Sequence, residues 1–131
     1  MISLLIVTLL LIFSSISNAI MDTLQHHFNI SIFRKLNSNW WDPSISWKHK
    51  YKGGDPKNGP RFFGATTYFV LFTDAWHFFQ FIFFTSIHLI LLLLLNIIFS
   101  FIWWYWILGL VILKVLHGLI FELLYKKLFI L

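Results

Sequence analysis

Residues 66–93, TTYFVLFTDAWHFFQFIFFTSIHLILLL, limit what this chain can become more than any other stretch. An almost unbroken apolar and aromatic run of this length suffices to cross a bilayer, which takes about 20 residues. Within it stand Asp74, His77, Gln80, Thr85 and His88. Ionisable groups in such a run are costly and rarely face lipid. At about 100° per residue, Asp74, His77, Phe81, Phe84, Thr85 and His88 share one sector of a helix, with Gln80 at its edge. The spacing therefore predicts a membrane helix with one polar stripe that the rest of the protein must cover.

Composition points the same way. The chain has 131 residues, room for a single domain, and is 59% hydrophobic and only 11% charged. A soluble domain carries about 25% charged residues, so the expected class is a small membrane protein. Cysteine is absent, which excludes disulfides, thiolate metal sites and cysteine nucleophiles. The net charge is +5, and most of the basic residues cluster: Arg34, Lys35, Lys48, Lys50, Lys52, Lys57 and Arg61 all precede the polar-striped run. Such a segment suits anionic lipid headgroups, or simply a cytoplasmic loop that obeys the positive-inside rule, better than nucleic acid.

The first apolar run, residues 2–20, reads as a spanning helix. Ser17, Asn18 and Ala19 resemble a signal-peptidase site. Against cleavage stand an n-region without Lys or Arg and the basic segment that would then be exported, so a retained helix is expected. Residues 21–36 place Met21, Leu24, Phe28 and Ile32 at helical spacing, as an interfacial amphipathic segment or a two-turn continuation of the first helix. Residues 37–65 hold all three prolines and four of the six glycines, the composition of loop and turns. Together residues 21–65 form an aromatic and basic interfacial loop. Trp40, Trp41, Trp47, Lys48, Lys50 and Lys52 are its expected membrane-interface anchors, rings at headgroup level and lysines snorkelling. Base stacking is the competing use of such a mixture, disfavoured because membrane segments flank it.

The string WWDPSISWKHKYKGGDPKNGP, followed after a gap by TDAWHFFQ, resembles a stretch found in uncharacterised small bacterial inner-membrane proteins. The resemblance covers about the middle third of the chain. It implies a bacterial setting and carries no activity.

From Phe69 to Leu113 the apolar sequence is about twice as long as a bilayer requires, so a reversal is expected within it. Asn96 and Ser100 put it near residues 96–101, and Trp103, Trp104, Tyr105 and Trp106 make an aromatic belt beyond it. The expected architecture is all-α, with transmembrane helices at residues 2–20, 66–95 and 102–125 and a tail at 126–131. With the basic loop, Lys126 and Lys127 inside, the N-terminus lies outside and the C-terminus in the cytoplasm.

The third span carries its own polar stripe: Lys114, His117, Gly118, Phe121, Glu122 and Tyr125. Its depth matches that of the second stripe within about one helical turn, which pairs Asp74 with Lys114 and sets His77 and His117 beside them. The expected polar seam is Asp74, His77, Gln80, His88, Lys114, His117 and Glu122. Three uses compete. Buried polar groups can fix helix register, making the protein a structural or accessory component of a membrane assembly, with a membrane-protein partner or a second copy. Asp22 with His26 and Asp74 with His77 could hold zinc or iron in a membrane enzyme, although two short Asp–His spacings are a weak signal. Glu122, His117, Asp74, His77 and His88 could relay protons in an oligomer. No catalytic nucleophile is identifiable, so substrate and reaction stay open.

Overall fold

The computed structural model describes residues 2–124, apart from the side chains of residues 2, 3 and 122. The fold is all-α. Three long helices, α1 (Ile2–His26), α4 (Ala75–Phe99) and α5 (Trp103–Leu124), are joined by a long loop and a short one. The loop after α1 contains two single-turn helices, α2 (Ser38–Trp41) and α3 (Pro43–Ser46), among a series of 3-10 turns. Among the described residues there is no strand, only an isolated bridge between Tyr51 and Pro60. The three long helices each contain a segment long and apolar enough to cross a membrane: Leu4–His26, Ala75–Phe99 and Trp103–Phe121. They are compatible with a small multi-pass membrane protein. The expected tail, residues 126–131 with Lys126 and Lys127, lies outside the described residues.

Helix boundaries differ from the expected ones for identifiable reasons. α1 runs on to His26, because nothing in residues 21–26 breaks it. Thr23 is absorbed by donating its hydroxyl to the Ala19 carbonyl at 2.7 Å. The second span starts at Ala75 rather than 66. Gly64, at φ +75°, turns the chain, and its carbonyl accepts from the amides of Thr67 and Phe69. A Cβ at Gly64 would stand 2.8 Å from the Phe69 ring, so only glycine fits this turn. A 3-10 turn at Val70–Phe72 follows, and the helix is opened only when Asp74 caps it. Apolarity alone ran through this irregular stretch; the cap residue marks the true start.

The chain divides into two compact units, Leu11–Phe84 and Met1–Leu10 with Thr85–Leu131. In the first, the loop is built from capped turns. Asn37 accepts from the amide of Asn39, Asp42 from that of Ser44, and Asp55 from that of Lys57. In the two Asp-Pro pairs proline follows the cap at the first helical position, where it loses no hydrogen bond. The Arg61 amide donates to Lys50 and the Lys52 amide to Gly59, closing residues 50–61 into a small ladder. Trp41 stacks on Phe33 at 5.0 Å, and it also meets Phe79 at 5.9 Å while Trp40 meets Phe78 at 6.3 Å, which docks the loop on the first turns of α4. On α1, Ser14, Ser17 and Leu24 form a buried stripe at helical spacing. Small residues there allow close approach of neighbouring backbone.

In the second unit, α4 and α5 form a hairpin. α4 ends at Phe99, and residues 100–102 make the reversal, at the far edge of the expected window of residues 96–101. Both polar residues of that window take part. Asn96 Oδ1 accepts from the Phe101 amide at 2.7 Å, and the Ser100 amide donates to the Asn96 carbonyl. Ser100 takes the left-handed conformation, φ +50°. Leu92, which is buried, packs on Gly109, where a Cβ would lie 2.6 Å from its Cδ2. Glycine is what lets the two helices come this close.

Candidate functional site

The chemistry of the first unit gathers where the loop meets the start of α4. Asp74 is the N-cap residue: its Oδ1 accepts from the His77 amide at 2.9 Å, three residues on. The same carboxylate receives His77 Nδ1 at 2.7 and 2.8 Å and the Thr73 hydroxyl at 3.0 Å. Asp74 is only 2% exposed. Burial by itself would raise its pKa, but the imidazole of His77, the His77 amide and the Thr73 hydroxyl together outweigh it and hold the carboxyl below its ordinary value. An ionised carboxylate accepts, so Nδ1 carries a ring proton, and in the neutral ring Nε2 is the acceptor. Asp74 thus orients the imidazole and fixes its tautomer, as carboxylates do in general-base pairs.

Beside this pair lies a cavity of about 230 Å³, lined by Gln25, Pro43, Ser46, Trp47 and Trp76 together with Asp74 and His77. Each wall comes from a feature already described. Gln25 is on the last turn of α1, and Pro43 and Ser46 belong to α3, whose cap is Asp42. Trp47 is held by donation from its Nε1 to the Ser44 carbonyl at 3.1 Å. Trp76 meets the His77 ring edge-on at 5.0 Å. The lining is mostly aromatic and apolar, with one oriented proton acceptor.

The second unit holds the other polar side chains. Lys114 donates to the Thr85 hydroxyl at 2.8 Å, a bond between α5 and α4. His88 is buried and its ring meets that of His117 edge-on at 5.8 Å. The expected seam is therefore distributed. Asp74 and His77 pair within one turn, while Lys114 and Thr85, and His88 and His117, meet across the hairpin. Asp74 takes its hydrogen bonds from Thr73 and His77. Gln80 is half-buried and makes no side-chain hydrogen bond among the described residues. The side chain of Glu122 lies outside the described residues.

The four residues considered for zinc or iron occur as two pairs. His26 Nε2 and Asp22 Oδ1 are 3.9 Å apart on the exposed surface of α1, too far for a hydrogen bond. Asp74 and His77 are engaged with each other. Among the described residues no three His, Asp or Glu side chains come together as a metal site would need. The expected anchors also divide. Trp40 and Trp41 are half-buried against Phe78 and Phe79, whereas Trp47 stays 40% exposed with Lys48 Nζ 5.8 Å from its ring centre. Lys50 is half-buried and Lys52 exposed.

Sequence reasoning passed over Ser46, Trp76 and Gly109. Neither Ser46 nor Trp76 carries a spacing signal; Ser46 is brought to the dyad only by the folded loop, and Trp76 stands between its two residues in the sequence. Gly109, a glycine inside an apolar helix, was the readable one. No family model, curated protein or solved structure matches the chain, so the reading of these sites rests on their own chemistry.

Proposed function

We propose that the protein is an accessory or structural component of a membrane assembly, a multi-pass protein of a bacterial inner membrane with its N-terminus outside and its C-terminus in the cytoplasm. One observation carries the reading. No residue of the α5 span is buried within the chain, yet that helix bears His117 exposed and Lys114 only half-buried. Polar and ionisable groups at such positions face other protein rather than lipid. A neighbouring membrane helix, from another protein or a second copy, is the natural cover for α5. The basic loop then lies on the cytoplasmic surface, where Lys48 and Lys52 meet anionic headgroups and Trp47 sits at their level.

The test is photocrosslinking from α5 in native membranes, with a diazirine residue in place of the exposed Leu116 or Ile120. The expected result is a defined protein adduct of fixed mass that also comigrates with the chain in mild detergent. Adducts with lipid alone, together with a monomer in mild detergent, would refute the reading. Orientation is checked separately with a cysteine at Asn58, expected to resist an impermeant thiol reagent in intact cells, and one at Ser100, expected to react.

A further inference from the structure

The geometry points to the cavity beside Asp74 and His77 as a binding site for a small hydroxyarene: one aromatic ring with a hydroxyl group and an apolar tail, the chemistry of a lipid-soluble quinol headgroup. Size comes first. A cavity of about 150 Å³ holds a benzene ring, so about 230 Å³ accommodates one ring with a few substituents and little more. The walls fit a ring. Trp47 and Trp76 offer aromatic surface and Pro43 a flat apolar one. Trp47 and Trp76 are both fixed by their own contacts, the first to the Ser44 carbonyl and the second to the His77 ring.

The polar requirement is specific. Asp74 holds the Nδ1 proton of His77, and Nε2 has no protein partner among the described residues. With the ring neutral, the site therefore asks for a hydrogen-bond donor. It disfavours an anion, because an ionised carboxylate stands behind the acceptor. It also differs from an aromatic cage for a quaternary ammonium group, since both Asp74 oxygens are already engaged by His77 and Thr73 and the residue is 2% exposed. Position agrees: Asp74 directly precedes the apolar span that starts at Ala75. A ligand with one polar end and an apolar remainder would have its hydroxyl at His77 and its tail towards the hydrocarbon. Only binding is assigned; no electron transfer is implied.

The test is uptake of 4-pentylphenol by the full chain in phosphatidylglycerol nanodiscs, corrected by empty discs of the same lipid. 4-Pentylanisole, which keeps the shape and lacks the donor, is the comparison. The expected result is one saturable equivalent of the phenol per chain, bound at least about tenfold more tightly than the anisole, with a shift of the His77 Nε2 resonance in ¹⁵N-histidine protein. Ser46→Leu, which fills the cavity without touching the dyad, should abolish the uptake while leaving helicity and the unliganded His77 resonances unchanged. His77→Phe, which keeps a ring and removes the acceptor, should weaken it at least about tenfold. Equal binding of phenol and anisole would reduce the cavity to an apolar hole and overturn the assignment. So would wild-type uptake by folded Ser46→Leu protein, an unmoved Nε2 resonance at saturation, or displacement of the phenol by octyltrimethylammonium.

Discussion

Replacing Asp74 separates two roles that one carboxylate combines. It caps α4 through the His77 amide at 2.9 Å and it holds the His77 imidazole at 2.7 Å. Loss of an N-cap side chain costs about 1 kcal/mol. A hydrogen bond to a charged group contributes about 1.5–3 kcal/mol, with little discount for solvent because Asp74 is 2% exposed. Asp74→Ala removes both and should destabilise by roughly 2.5–4 kcal/mol, the sum of these contributions. Asn caps helices about as well as Asp. Asp74→Asn should therefore keep the cap, exchange a charge-assisted bond for a neutral one, and cost only about 1–1.5 kcal/mol. The assay is reversible unfolding in mixed micelles at increasing SDS fraction, followed by tryptophan fluorescence, since Trp76 and Trp47 line the adjoining cavity. Alanine and asparagine variants of equal stability would show that the cap contributes nothing. An alanine variant within about 0.5 kcal/mol of wild type, the ordinary surface range, would refute both roles.

Three further outcomes follow from the geometry. Gly109→Ala should be mild, since the methyl 2.6 Å away is the mobile end of Leu92, whereas Gly109→Leu should overpack the hairpin and cost about 1–3 kcal/mol in the same unfolding assay, partly recovered by adding Leu92→Ala. Asn96→Leu leaves the half-buried Phe101 amide without its acceptor and should cost about 1–3 kcal/mol, with faster hydrogen exchange at Phe101 as the local signature. Because the folded carboxyl of Asp74 titrates below its ordinary value, its stabilisation is complete above about pH 4, the unfolded carboxylate range. It is lost as the pH falls through the lower folded value. The stability gap between wild type and Asp74→Asn should thus be retained from pH 7 to pH 5 and shrink below pH 4; a gap that closes between pH 7 and pH 5 would refute this assignment.

The all-α class and three long apolar helices were legible because length and apolarity are summed over many residues, so local exceptions hardly matter. The hairpin was legible for a similar reason: between His88 and Lys114 only Asn96 and Ser100 interrupt the long run, and both take part in its turn. The start of the second span was not. Residues 66–74 are no more polar than the first turns of the helix that follows, Ala75 to Phe81, so hydropathy does not mark the boundary. What separates them is backbone geometry, the positive φ of Gly64 and the cap at Asp74. The composition of the loop marked it as turns, but which tryptophans dock and which stay exposed depends on Phe33, Phe78 and Phe79, contacts that no local pattern announces.

The polar residues show where pattern reasoning reaches its limit. Helical periodicity put Asp74 and Lys114 on stripes of matching depth, and a long-range ion pair followed from the cost of leaving either facing lipid. Depth and face, however, do not decide between a distant partner and a near one. Asp74 has a near one: a helix start three residues before His77 offers both an amide and an imidazole to the same carboxylate, with almost no chain entropy left to lose. Thr85 on α4 accepts from Lys114 with its hydroxyl, a bond within the hairpin. A short Asp-x-x-His spacing at the entrance to a span is thus better read as a cap that orients an imidazole than as half of a ligand set. That local closure is what leaves one ring nitrogen of His77, and not a cluster of charges, as the acceptor beside the cavity.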